Sequence, residues 1–479
     1  MIEKDLRPGA TVDAVYEQVR NLVHTSPSGV IQPTPAVACV MWRRAPSSPH
    51  PLEVYVARRS VSHPFLGGFW GFPGGRIEAA DKSPIAACAR EVHEELGVDL
   101  PLDPAAWREI VRFATPELAP VRFEARYYLV EAPAGCAPDP GVSRELERGL
   151  WITPEAAVAA HERGEWLVPT PVVITVAELA RGTEGPALEE RLAAASRADF
   201  AARGWPLAGG AWLAPVRTLT LPPATHTNAY IFGTRELVVV DPGSPFEDEQ
   251  AALEGELARM EASGARLRAI LLTHHHQDHS AGAAALAART GAPVWAHAVT
   301  AQLLEGVVAV ERTIADGEVI ELAGEPARRL RAIFTPGHAP GHLCFLEEET
   351  GFAAVGDMVA GLGTILIDPS EGDMRQYLDS LAVLAAAAPR ALLPAHGPPI
   401  ADPAGKIAEY VRHRLWREER VAAALPARGR ATARDLVPEA YSDVVPALFG
   451  LAERSLIAHL VKLAGDGRVR LVGDVWEVV

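Results

Sequence analysis

The sequence predicts a protein of α/β and α+β domains in series, and three observations predict it. The chain has 479 residues, more than one ordinary core organises, so two or three domains are expected. Short apolar strand-like runs alternate with helix-like segments to about residue 400. From Lys406 the pattern changes to helices followed by a terminal hairpin. Apolar residues make up 48% and charged residues 22%, a globular composition. The bias toward Ala, and toward Arg over Lys, fits a GC-rich bacterial coding sequence and carries no function.

The elements follow in order. Thr11 to His24 is an amphipathic stretch. Strand runs Ala36 to Trp42 and Glu53 to Ala57 flank a Pro-rich turn. A Gly-rich loop, Gly67 to Gly75, leads into a helix over Pro84 to Leu96, which Gly97 stops. Strand runs near Trp107 to Ala114 and Arg122 to Glu131 come next, then a helix, Thr170 to Ala180, and a helical connector over 181–204. A new pattern starts near Trp212. Strands Ala229 to Phe232 and Leu237 to Val240 end at Asp241-Pro-Gly. A helix (Asp248 to Ser263), a buried strand (Ala269 to Leu272) and a His-rich loop follow. Past Lys406 come helices over Ile407 to Ala424, near Ala433 to Leu436 and over Ser455 to Ala464. The hairpin Val469 to Val472, Gly473-Asp474, Val475 to Val478 closes the chain in a winged-helix pattern. The implied domains are 32–200, 206–405 and 406–479.

The net charge of −16 opposes non-specific binding of polyanions. The segment from Lys406 carries 12 Lys+Arg against 10 Asp+Glu, a balance of +2, so packing or dimerisation suits it better than reading DNA. Cys39, Cys88, Cys136 and Cys344 lie far apart with no C-x-x-C, which argues against a disulfide framework and a cysteine-zinc site. The N-terminus MIEKDLRPGA lacks a signal pattern and no apolar run reaches bilayer length, so a cytoplasmic location without a membrane partner is expected.

The first chemical constellation is Thr273-His-His-His-Gln-Asp-His279. In an extended loop alternate side chains share a face, so His274 and His276 point together, and Asp278 and His279 serve a neighbouring position. H-x-H-x-D-H therefore suits two adjacent metals. His338 in Thr335-Pro-Gly-His, Asp357 in Val355-Gly-Asp and His396 in Pro394-Ala-His-Gly each follow an apolar run, as ligands at strand ends do. His275 is expected to point away and His226 to be structural. His342 either lines the site or packs beside it.

These residues resemble the metallo-β-lactamase superfamily over roughly residues 212–405, with Asp241 in V-V-V-D-P-G opening the ordered motifs. The resemblance implies an αββα sandwich. It implies one zinc on His274, His276 and His338, and a second on Asp278, His279 and His396. Asp357 would bridge them, and Asp241 would orient a ligand from behind. It further implies hydrolysis by a hydroxide formed at the metals, with Asp278 counted as catalytic. Within the superfamily the chain resembles the β-lactamase-like protein 2 group, which includes a mitochondrial endoribonuclease. Thr227-Asn-Ala-Tyr230, Thr335-Pro-Gly-His338, His413-Arg-Leu-Trp-Arg-Glu418 and the winged-helix-like end carry that likeness. It implies cleavage of RNA. Glyoxalase II-type thioesterases share the sheet and ligands and supply the alternative.

The second constellation is a carboxylate face. Glu91, Glu94 and Glu95 sit at i, i+3 and i+4 on the expected helix. Such clustering repels itself and implies a counter-charge; hard oxygens suit Mg²⁺ or Mn²⁺ bridging to phosphates. Arg90 is placed to brace the cluster. Gly71-Phe-Pro-Gly-Gly-Arg-Ile-Glu78 and Ala89-Arg-Glu-Val-His-Glu-Glu-Leu-Gly-Val98 resemble the Nudix box, over 32–200. This implies an α/β/α sandwich that hydrolyses diphosphates. Glu91, Glu94 and Glu95 would hold the metal, Glu95 being catalytic, with Gly75 lending a carbonyl and Glu78 nearby. The first half departs from the box. Gly75 to Arg90 is one residue longer, and Asp81 or Lys82 stands at the usual Glu place, so the extra residue is expected before Ser83-Pro84. Arg58-Arg-Ser60 with F-P-G-G resembles coenzyme A-type diphosphatases.

The combined expectation is a bifunctional hydrolase acting on a small-molecule diphosphate and on RNA. A homodimer is allowed. The alternatives are a thioesterase in the zinc domain, and a nucleotide-sensing regulator with an inactive Nudix half.

Overall fold

The computed structural model describes residues 32–44, 52–63, 66–115, 122–182, 185–201, 204–221 and 224–479. The stretch Thr11 to His24 and the Pro-rich turn lie outside them. Two compact units divide the described residues, one over 32–214 and one from Pro215.

In the first unit the strand Thr34–Arg44 is central. It runs parallel to Phe123–Glu131, with Ala36 opposite Ala125, and antiparallel to Leu52–Arg59. Period-two alternation gives this strand two buried faces. Val37, Cys39 and Met41 pack with Ala87, Cys88, Val92 and Leu96 of the helix Pro84–Leu96. Ala38 and Val40 pack with Val172, Val176, Leu188 and Leu192, from the helices Thr170–Ala180 and Gly185–Ala201. The sheet is therefore covered on both sides. Pro84–Leu96 is bounded as the sequence predicts. Ser83 Oγ accepts from Ala86 N at 3.1 Å, Pro84 opens the first turn, and Gly97 ends it at φ +67°. The helix Pro154–Glu162 goes unannounced, because its alanines blur the contrast between faces.

The second unit holds two sheets. In the first, Glu236–Val240, Arg266–Leu271 and Val294–Ala296 run parallel, and His226–Gly233 pairs antiparallel to Glu236–Val240. Val238 to Val240 and Ala269 to Leu271 are fully buried, which is why they read as unbroken apolar runs. The second sheet orders Val319–Leu322, Arg328–Phe334, Leu343–Glu347 and Phe352–Gly356 antiparallel, then Ala391–Pro394 parallel. The two sheets meet where Leu343 N donates to Thr273 O at 2.8 Å, beside the His-rich segment.

Helices Pro403–Arg428, Ala433–Ala440 and Phe449–Gly465 then pack around Val421, Leu425, Leu436, Leu456, Leu460 and Trp476. The hairpin Val469–Val472 with Val475–Val478 completes a winged helix. The molecule is thus a mixed α/β and α+β multidomain protein. Among the described residues no helix is long and apolar enough to cross a membrane.

Candidate metal centre

The His-rich segment leaves the sheet after Leu271 and ends in a helical turn, Gln277–Ser280, where a continuous loop was expected. Ser280 N and His279 N both donate to His276 O, at 3.0 Å. The turn seats against the strand-end loop so closely that a Cβ on Gly243 would lie 1.7 Å from Asp278 O. Glycine is required there by space.

Three imidazoles converge first. His274 Nε2 lies 2.9 Å from His276 Nδ1, and His338 Nε2 lies 3.0 Å from the same atom. The far nitrogens explain what the near ones carry. His338 Nδ1 donates to Leu366 O at 2.9 Å, and a carbonyl only accepts. His276 Nε2 donates to Glu371 Oε1 at 2.7 Å. His274 Nδ1 donates to Thr273 Oγ1 at 3.0 Å, since that hydroxyl gives its own proton to Asp241. Three lone pairs therefore face one point.

A second group adjoins it. His396 Nε2 lies 3.4 Å from both Asp278 Oδ2 and Asp357 Oδ1. His279 Nε2 lies 3.5 Å from Asp357 Oδ1, and Asp357 Oδ2 lies 3.5 Å from His338 Nε2. Asp357 thus faces both groups. His396 Nδ1 donates to His226 O at 3.1 Å, and His279 Nδ1 to Asp241 Oδ2 at 2.9 Å. The buried His279 Nε2 and Asp357 Oδ1 have no hydrogen-bond partner. Such atoms are costly in a packed interior unless a ligand completes them. Nitrogen and carboxylate donors of this kind fit a divalent metal. His274, His276 and His338 form one cluster of mutually close ligand atoms, and Asp278, His279 and His396 another.

Asp241 holds this arrangement from behind. It adopts φ +53°, a strained conformation for a non-glycine residue. From there it accepts from Thr273 N at 2.8 Å, from Thr273 Oγ1 at 2.7 Å and from His279. His342 has both nitrogens engaged. It accepts from Asp357 N at 3.2 Å and donates to Thr335 Oγ1 at 2.9 Å. It fixes Asp357 and has no lone pair left for a metal.

Two side chains here carry no motif. Glu371 bonds His276 and lies 2.8 Å from His275 Nε2. Thr220 Oγ1 lies 3.4 Å from His396 Nε2. No sequence signal marks Glu371, which lies two strands beyond T-P-G-H and 95 residues from His276.

The electrostatics agree. Burial, with His276 close by, pushes the His338 imidazolium down to about 4. Burial also opposes charge on His279, yet Asp278, Asp357 and Asp241 win and raise it to about 10. Without a metal, a proton on His279 neutralises these carboxylates, and a bound cation must displace it.

On the helix Pro84–Leu96, Arg90 binds Asp81 through Nε at 3.1 Å and a terminal nitrogen at 3.0 Å. Its other terminal nitrogen lies 3.0 Å from Glu91 Oε1 and from Glu94 Oε2. Asp81, not Lys82, thus takes the place of the usual glutamate; Glu78 N caps its carboxylate at 2.8 Å. A Cβ on Gly75 would lie 2.5 Å from Glu91 Oε1, so the glycine loop abuts that carboxylate. Glu95 accepts from Gly74 N at 3.0 Å. Burial pushes Glu95 up to about 8 and raises Glu91. Glu94 is exposed and held by Arg90, so the three carboxylates share a face without converging on one point.

Known proteins bear on both units. The Metallo-beta-lactamase superfamily profile matches residues 222–396, the NUDIX domain profile 32–169, and the Beta-lactamase associated winged helix domain profile 432–476. The lactamase-like protein adaB of Aspergillus niger is 30% identical over 263 residues, covering 52% of this chain and 78% of that relative. An atrochrysone carboxyl ACP thioesterase of Aspergillus chevalieri is 31% identical over 271 residues, 53% of this chain and 82% of that relative. A beta-lactamase domain protein of Burkholderia ambifaria shares the fold at a TM-score of 0.50 and 20% identity, over 58% of this chain and 93% of its own. The histidine centre, its supporting strands and these matches agree: the chain belongs to the metallo-beta-lactamase superfamily and carries a Nudix domain ahead of that fold.

Proposed function

We propose that the unit from Pro215 is a dinuclear zinc hydrolase of acyl thioesters. The observation that carries it is the 31% identity to an ACP thioesterase, over 82% of that relative. His274, His276 and His338 would hold one zinc; Asp278, His279 and His396 the second; Asp357 would face both. When bound, the metals supply Lewis acidity and lower the pKa of water toward neutrality. The protein does the rest. Asp278 and Asp357 would orient the attacking water, and Asp278 would take its proton. Asp241, Glu371, Leu366 O and His226 O fix the imidazole tautomers.

Cleavage of RNA, which the sequence suggests, has less support. Basic residues of the tail are engaged by carboxylates: Arg430 and Arg470 by Glu477, Arg468 by Glu419, Lys462 by Glu418 and Asp466. The first unit is read as a Nudix diphosphatase with Mg²⁺ or Mn²⁺ held by Glu91 and Glu95, Arg90 fixing Glu91. A coenzyme A-type substrate there would pair with a thioesterase in the second unit.

The test is direct competition of substrates on the full chain. Turnover of acyl-CoA or acyl-carrier thioesters, abolished by a chelator, with a fluorogenic RNA left intact, is the expected outcome. Cleavage of the RNA with thioesters untouched overturns the thioesterase reading.

A further inference from the structure

The winged-helix tail lies in the same unit as the histidine centre, and one of its side chains reaches toward it. The connection runs through the loop from Gly363 to Gly372. This loop supplies two contacts to the three-histidine group, each at the nitrogen turned away from the convergence point. Leu366 O fixes His338 and Glu371 fixes His276. Rotation of either ring is therefore limited by where this loop sits.

The loop is held from two helices. On Pro403–Arg428, Arg414 donates to Ile365 O and Tyr410 Oη donates to Gly363 O at 3.1 Å. On Phe449–Gly465, inside the winged helix, Arg454 grips Asp368 with two nitrogens, one of them at 2.5 Å from Oδ1. Asp368 passes that hold onward. Its carboxylate accepts from Ser370 N at 2.9 Å and Ser370 Oγ at 2.6 Å. Its carbonyl accepts from Gly372 N at 2.6 Å and Glu371 N at 3.3 Å. The pair is largely buried, since the Asp368 side chain is 7% exposed and that of Arg454 20%. A bidentate, charge-assisted pair in such surroundings sets geometry strongly. One helical turn later, Ala458 packs in the same cluster as Ile365, Ile367 and Tyr377. Tail and loop are thus one packed body.

We infer that Arg454 is a positioning residue for the metal centre: through Asp368 it fixes Leu366 O and Glu371, and through them His338 and His276. The tail then has a task that needs no nucleic acid. The inference rests on the dinuclear reading above.

The experiment titrates the metal-stripped full chain with zinc against a chromophoric chelator. The wild type takes two ions. Arg454→Met is expected to lose about ten- to a hundred-fold in affinity at one step and to keep the other. Its cobalt(II) absorption should shift for one ion only, and Arg454→Lys should recover part of the loss. Arg430→Met breaks the tail pair with Glu477, away from the loop, and should change neither step. If Arg454→Met does not fold, Asp368→Asn carries the same expectation. Wild-type affinity at both steps in Arg454→Met, or an equal loss in Arg430→Met, overturns the inference. A wild type that takes fewer than two ions overturns the dinuclear reading with it. A two-ion wild type with an indifferent Arg454→Met overturns this inference alone.

Discussion

Asp241 shows how much a single residue does here. It sits at positive φ, which costs about 1–3 kcal/mol, and that strain persists because its carboxylate joins Thr273 to His279. Asp241→Asn keeps the size but replaces the charged acceptor that holds His279 Nδ1–H. Zinc affinity at the second site is expected to fall about ten- to a hundred-fold, read by chelator competition. His275→Asn is the contrast. His275 meets Glu371 from outside the convergence point, so two ions should still bind with nearly unchanged affinity. At this scale the sequence was legible where a motif fixes spacing. His274, His276, Asp278 and His279 are close in the chain, and each later candidate follows an apolar strand. Glu371 was not legible, because its partner His276 is 95 residues away and a lone glutamate in a loop has no pattern. The role of His342 was open for the same reason; only the meeting of Thr335 and Asp357 on its two nitrogens decides it.

At the scale of elements, boundaries followed local chemistry. The glutamate helix begins at Ser83-Pro84 and ends at Gly97 in sequence and structure alike. Ser83→Ala removes the cap on Ala86 N and is expected to cost about 1 kcal/mol, seen as a lower denaturant midpoint for the first unit. Elements that depend on distant partners were harder to read. The helix Pro154–Glu162 has little contrast between its faces, and Gln277–Ser280 is only one turn long. The longer Gly75 to Arg90 loop resolves on Asp81. A shorter carboxylate at that place reaches Arg90, and the counter-charge that the clustered glutamates demand is therefore supplied. Glu95→Gln removes the buried carboxylate that accepts from Gly74 N. Diphosphatase activity with Mg²⁺ or Mn²⁺ is expected to fall at least about a hundred-fold, by phosphate release; unchanged turnover would mean that Glu95 is structural.

Across the whole molecule, a buried histidine of the first unit ties folding to pH. In the first, burial pushes His161 from 6.5 down to about 4, and its Nδ1 has no partner. Between those values the unfolded chain binds a proton that the folded chain does not. The contribution of His161 to stability is then complete above pH 6.5, falls as pH drops through the window, and levels off below about 4. The span corresponds to about 3 kcal/mol. His161→Gln should remove this contribution, so that relative to the wild type the first unit loses less stability between pH 7.5 and pH 5 when urea midpoints are compared. The order of the three domains was readable from composition and motif alone. The tail's bond to the metal loop was not, because Arg454 and Asp368 are 86 residues apart and neither belongs to a motif.

Seven side chains face two adjacent positions that fit metals. The measurement that tests this most directly is zinc content of the full chain by elemental analysis after mild purification, for the wild type, His338→Ala and His396→Ala. Two ions per chain are expected in the wild type and one in each variant, with each variant retaining a different ion by cobalt(II) spectroscopy. A wild type holding one ion or none after reconstitution with excess zinc, or variants that still hold two, would contradict it.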